Sequence, residues 1–125
     1  MATWASVEDY IRTNYKVADQ SGSFLQLIFN TSAGRSQMVM VTSAGGLVQF
    51  ISPFASLQQV SIEQVFAVMR AESILLGITG VDGTLLVTHS QLMETADAEE
   101  IDMGLGLVAE TADLLEAALA GMDRY

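Results

Sequence analysis

Between Ser23 and Ser52 the chain reads as three apolar runs, "SFLQLIFN", "SQMVMVT" and "LVQFIS", parted by two nearly identical turns, "TSAGR" (Thr31–Arg35) and "TSAGG" (Thr42–Gly46). Each run has the length of a strand, and neither join is long enough to hold a crossover helix. Runs joined by short glycine-bearing turns pair as antiparallel neighbours, so the segment predicts a β-meander. Similar hairpins account for the likeness of the two turns without any internal repeat. In the first run Leu25, Leu27 and Phe29 share one face, with Phe24, Gln26, Ile28 and Asn30 on the other. The second run is apolar on both faces, Met38 and Met40 on one and Val39 and Val41 on the other. A strand of that kind must be covered on both sides, by its own chain or by another.

The flanking segments supply helices and further strands. "SVEDYIRTNY" predicts a helix capped by Ser6, with Glu8 and Asp9 in the first turn and Val7, Tyr10, Ile11 and Tyr15 as its apolar stripe, which Trp4 can join. Pro53 cannot donate to a ladder, so the third strand is expected to end near Ser52. "SIEQVFAVMRAES" opens on a capping box of Ser61 and Gln64 and buries Ile62, Val65, Phe66 and Met69. "SILLGITGVDGTLLVTH" then predicts two strands about a tight Asp-Gly hairpin. The consecutive apolar residues of "ILLGI" imply a strand shielded on both faces, and Gly77 marks a bend or a close backbone approach. A last helix is expected from about Asp97 to Ala120, with Asp97 and Glu100 as a capping pair and Gly121 just past its end. Its apolar stripe is Ile101, Leu105, Val108, Ala112, Leu115 and Leu119, and its acidic residues read as a solvated face. The expected architecture is therefore one α+β domain over 1–125, in the order α-β-β-β-α-β-β-α, with a five-stranded antiparallel sheet.

Composition narrows the functions open to such a domain. With 125 residues and half of them apolar, the chain can hold a core without metals or bridges. It has no cysteine, which excludes disulfides, thiolate zinc sites and thiol nucleophiles. The net charge is −10, and no basic residue lies between Ala71 and Asp123, so nucleic acid is not an expected partner. Glu8 and Asp9 stand where a signal peptide needs basic and then apolar residues, and no run approaches the ~20 apolar residues of a bilayer span. The expectation is a cytoplasmic protein that does not bind membranes.

No motif with catalytic chemistry survives a reading in context. "GLGLVA" (Gly104–Ala109) has dinucleotide-fingerprint spacing but falls inside a helix behind Glu99, Glu100 and Asp102, which would repel a pyrophosphate. Small residues there let the helix approach its neighbour closely. "VDGT" lacks the oxygen ligands of a calcium loop and reads as a turn. His89, the single histidine, has no visible metal co-ligand or catalytic partner and reads as a strand-end surface residue. No cofactor, metal or catalytic residue is therefore assigned, and the chain is expected not to be an enzyme. The methionines, Met38 and Met40 above all, suit an adaptable binding surface.

The element order, the second helix leading straight into "SILLGI", and the late pattern "VDGTLLVTHSQL … EEIDMGLGLVAETADLLEAAL" together resemble the type III secretion chaperone-like fold. That group includes the Tir-chaperone family and the YbjN-type proteins, named as sensory transduction regulators. The resemblance spans nearly the whole chain. It implies a strongly curved five-stranded sheet and a homodimer that binds other proteins and performs no catalysis. It further implies a dimer interface on the second helix and the strand after it, which here means Val65, Phe66, Met69, Ile74, Leu76 and Ile78, and a partner's extended segment over apolar patches of the sheet and first helix. Met38 and Met40 are the partner-binding candidates that the doubly apolar strand itself offers. Two alternatives stay open: a longin- or roadblock-like scaffold, with two strands before the middle helix and three after it, and a small-ligand binder or enzyme, for which a polar-rimmed cavity at His89 would speak.

Overall fold

The computed structural model describes residues 2–21 and 24–119. Along the chain run α1 (Trp4–Asn14), β1 (Lys16–Ser21), β2 (Phe24–Asn30), β3 (Ser36–Ala44), β4 (Leu47–Ser56), α2 (Ile62–Ala71), β5 (Gly77–Val81), β6 (Thr84–Leu92) and α3 (Ala98–Ala118). The fold is α+β, with six strands where the sequence suggests five. All pair antiparallel, in the order β1-β2-β3-β4-β6-β5. The additional strand is β1, an edge strand of sequence "KVADQS". Edges tolerate charge and lack a second neighbour, so β1 shows none of the apolar alternation that reveals a central strand.

The meander forms as its turns require. Gly34, Gly45 and Gly46 carry positive φ, and two residues, Gly45 and Gly46, close the β3–β4 hairpin. Asp82 and Gly83, with φ of 51° and 81°, close β5 onto β6, the geometry of a primed turn. Pro53 does not end its strand. β4 runs on to Ser56 because its ladder with β3 stops at the Met40–Ile51 pair, leaving no donor required of the proline on that side. Gln37 Nε2 donates to the Pro53 carbonyl at 2.7 Å and Ser52 Oγ to the Met38 carbonyl at 2.7 Å, so side chains bridge the gap. A bulge between Pro53 and Ala55 then turns both Phe54 and Ala55 into the core.

Helix starts are set by caps. α1 begins three residues before the expected Ser6 cap: Thr3 is the cap and Ser6 is its reciprocal partner, each side chain accepting from the other's backbone N–H. Trp4 therefore lies within the helix, and Glu8 falls beyond the first turn, paired with Arg12 at 3.6 Å. The Ser61–Gln64 box and the Asp97 cap form as the spacing predicts. Gly121, expected beyond the end of α3, and Ala120 lie outside the described residues. "ILL" is not strand: Ile74, Leu75 and Leu76 form the loop into β5, in which Ile74 and Leu76 are half-buried against the core and Leu75 is exposed.

Burial alternates cleanly across the sheet. Leu25, Leu27, Val39, Val41, Val48, Phe50, Leu85 and Val87 point one way and are buried under the helices. α3 supplies the largest cover, with its entire expected stripe from Ile101 to Leu119 buried, while α1 adds Val7 and Ile11 and α2 adds Val65. At Gly104 α3 comes close against the sheet: a β-carbon there would stand 2.6 Å from Phe50 Cε2. Among the residues of β2 to β6, none that points outward is buried.

Candidate functional site

The opposite face of the sheet is open. Strand pairing places Ile28 beside Met38, Met40 beside Ile51, and Pro53 beside Leu86, all on the side away from the helices. An antiparallel sheet with one face in water ordinarily alternates to polar residues on that side. Here the centre of the outer face is apolar instead. Met38, Met40, Ile51, Pro53, Val81, Thr84 and Leu86 line a depression of about 340 Å³. The outward residues of β2 to β6 include no charged side chain; Lys16 and Asp19 stand only on the edge strand β1.

A second apolar surface lies on the helix side. Phe66, Met69, Arg70, Ser73, Ile74 and Leu75 line a hollow of about 620 Å³. Beside it, Leu76, Leu107 and Thr111 border a smaller one of about 330 Å³. Leu75 is 96% exposed and Phe66 48%. Met103, Leu107 and Leu114 form a second apolar row on α3, at helical spacing and facing away from the sheet.

The polar groups of the structure tie elements together. Tyr10 and Tyr15 both donate to Asp102 of α3, Tyr15 at 2.6 Å, and Tyr15 also stacks on Phe29. Burial first, then the hydrogen bond to Asp102, raises the Tyr15 pKa well above its ordinary value; for Tyr10 the Asp102 hydrogen bond leads. The β2–β3 loop is latched to α3 in the same way. Arg35 pairs with Asp113 at 2.7 Å, Thr31 donates to the same carboxylate, and Ser32 donates to Glu110 through both its N–H and its hydroxyl. The acids of α3 are thus not a uniformly solvated face: Asp102, Glu110 and Asp113 anchor α1 and the hairpin, and Asp113 is buried. Spacing within α3 could not show this, because the partners lie about 80 to 90 residues away.

His89 lies inside β6, not at its end, half-buried on the helix side and stacked on Phe50 at 6.1 Å. It lines none of the hollows described above. Among the described residues no three His, Asp or Glu side chains gather as a metal site. No described helix is long and apolar enough to cross a membrane. Gly104 and Gly106 lie within α3 against Phe50 and Phe29.

The residues expected at a dimer interface do not share one surface. Phe66, Met69, Ile74 and Leu76 border the helix-side hollows. Val65 has no exposure and belongs to the core, and Ile78 pairs with Val87 on the helix-facing side of the sheet. Met38 and Met40 do come together on the open face, joined there by Ile51, Pro53 and Leu86. Ile51, Pro53 and Leu86 carry no such signal in the sequence, because strand register, not spacing within one run, makes them neighbours. No protein-family model matches the chain, and no curated protein matches it.

Proposed function

We propose that this chain is a non-catalytic, homodimeric protein-binding module, chaperone-like or regulatory in kind, which takes protein on its apolar sheet and helix surfaces. The observation that carries the reading is the uncharged, apolar outer face of the sheet around Met38 and Met40, on a chain whose net charge is −10. An exposed contiguous apolar patch with no helix over it is the signature of an interaction surface. Setting aside the edge strand β1, the element order is the α-β-β-β-α-β-β-α of the type III secretion chaperone-like fold, which supports that kinship. The longin and roadblock order of two strands before the middle helix and three after it differs from the four and two found.

The test is site-specific photo-crosslinking in the native host, with the photoreactive residue placed in turn at Met38, Phe66 and the exposed Asp9. Protein adducts identified by mass spectrometry at Met38 or Phe66, and absent at Asp9, are expected. No adduct at either apolar site, or equal labelling at all three positions, would refute the reading.

A further inference from the structure

We infer that the open sheet face is occupied by a second copy of this chain, the two sheets packing face to face about a two-fold axis. The inference rests on the preceding reading of that face as a docking surface, and it names the occupant. Three observations lead to it.

The first is charge. A chain with 15 acidic and five basic residues repels its own copy over most approaches. The helix side exposes Glu63, Glu72, Glu99 and Asp102. The outward residues of β2 to β6 carry no charge at all, so two copies can meet there without bringing carboxylates together. At the β1 edge the two charges, Lys16 and Asp19, are of opposite sign.

The second is area. The six strands average about eight residues. At ~4.8 Å between strands and ~3.3 Å per residue, the face measures roughly 29 by 26 Å, or about 750 Å² before side-chain relief is counted. A standard stable interface takes about 800 Å² from each partner. The face is therefore of the size that one copy can fill.

The third is the side chains themselves. Packed sheets sit ~10 Å apart with inner residues interdigitating. The flexible Met38 and Met40, set beside Ile51, Pro53 and Leu86, can fill the depression between two twisted faces. The central strand β3 then has the two apolar covers that "SQMVMVT" demands: α3 on one side and the partner's sheet on the other.

Sedimentation equilibrium at concentrations on the order of tens of micromolar tests this, with Met40→Glu, Thr88→Glu and Phe66→Glu beside the unaltered chain. Thr88 faces outward beside Ile51 and Gly77, and its replacement removes no apolar core contact, so it carries the test if Met40→Glu does not fold. The unaltered chain is expected to be a dimer. Either sheet-face variant should raise the dissociation constant at least ~100-fold while keeping a native circular dichroism spectrum, because each puts carboxylates into an apolar contact. Phe66→Glu should remain dimeric. A monomeric unaltered chain, whether another protein or a small apolar ligand covers the face, overturns the inference and the homodimer together. A dimer that survives both sheet-face substitutions but is lost in Phe66→Glu overturns this inference alone and leaves the protein-binding reading standing on the helix side.

Discussion

Replacing Gly104 by alanine isolates the contact that seats α3 on the sheet. Two effects of opposite sign act at this position. Alanine improves the propensity of a helix interior by about 1 kcal/mol over glycine. Against that, the added β-carbon would lie 2.6 Å from Phe50 Cε2, 2.8 Å from Cζ and 2.9 Å from Cδ2. Carbon pairs rest at about 3.5–4.0 Å, so ring or helix must yield by roughly 1 Å. Phe50 is fully buried, and His89 is stacked on it, so the ring has no free space to enter. Overpacking of this kind costs about 1–3 kcal/mol.

Gly106, two residues along the same helix, separates the terms. A β-carbon there meets only Phe29 Cζ at 3.8 Å, an ordinary contact. Gly106→Ala should therefore be stabilising by up to about 1 kcal/mol, since it gains propensity without a clash. The propensity term is shared, so Gly104→Ala should be less stable than Gly106→Ala by the packing cost, about 1–3 kcal/mol. Urea unfolding followed by circular dichroism measures both, at one fixed protein concentration because self-association would add to apparent stability. If Gly104→Ala proves as stable as Gly106→Ala, the close approach of α3 to Phe50 is wrong.

Three other outcomes follow from the polar latches and the surface. Asp113→Asn keeps the shape of the side chain but removes the charge that Arg35 and Thr31 hold, and should cost about 1–2 kcal/mol in thermal unfolding; no loss would mean that the latch is idle. Tyr15, with its pKa raised in the folded chain, stabilises fully below the unfolded phenol value of ~10, and that stability is lost as pH climbs past ~10 toward the folded value. Stability should therefore decline on the alkaline limb, and Tyr15→Phe should flatten that decline; an unchanged slope would refute the burial of the Tyr15 phenol against Asp102. Leu75→Ser, at a residue with almost no burial, should leave the unfolding free energy within about 0.5 kcal/mol of the unaltered chain; a larger loss would place Leu75 inside the fold.

Local chemistry settled much of this protein before any fold was known. The Asp-Gly and Gly-Gly hairpins, the Ser61–Gln64 box and the α3 stripe all follow from residues within a few positions of one another, which is the range over which turn geometry and helical period act. The doubly apolar "SQMVMVT" already announced apolar residues on both faces of the sheet, and the close approach at Gly104 was legible as well. Edge strand β1 stayed hidden because an edge is selected for charge and not for alternation. The passage of β4 through Pro53 depended on where the β3 ladder ends, which no single strand specifies. The Asp113 and Asp102 anchors, likewise, join residues that only chain crossing makes neighbours. Above all, tertiary structure decided which side of the sheet the helices would take. All three lie on one side because a single core must serve them, and the Met38–Met40 face is what that choice leaves uncovered.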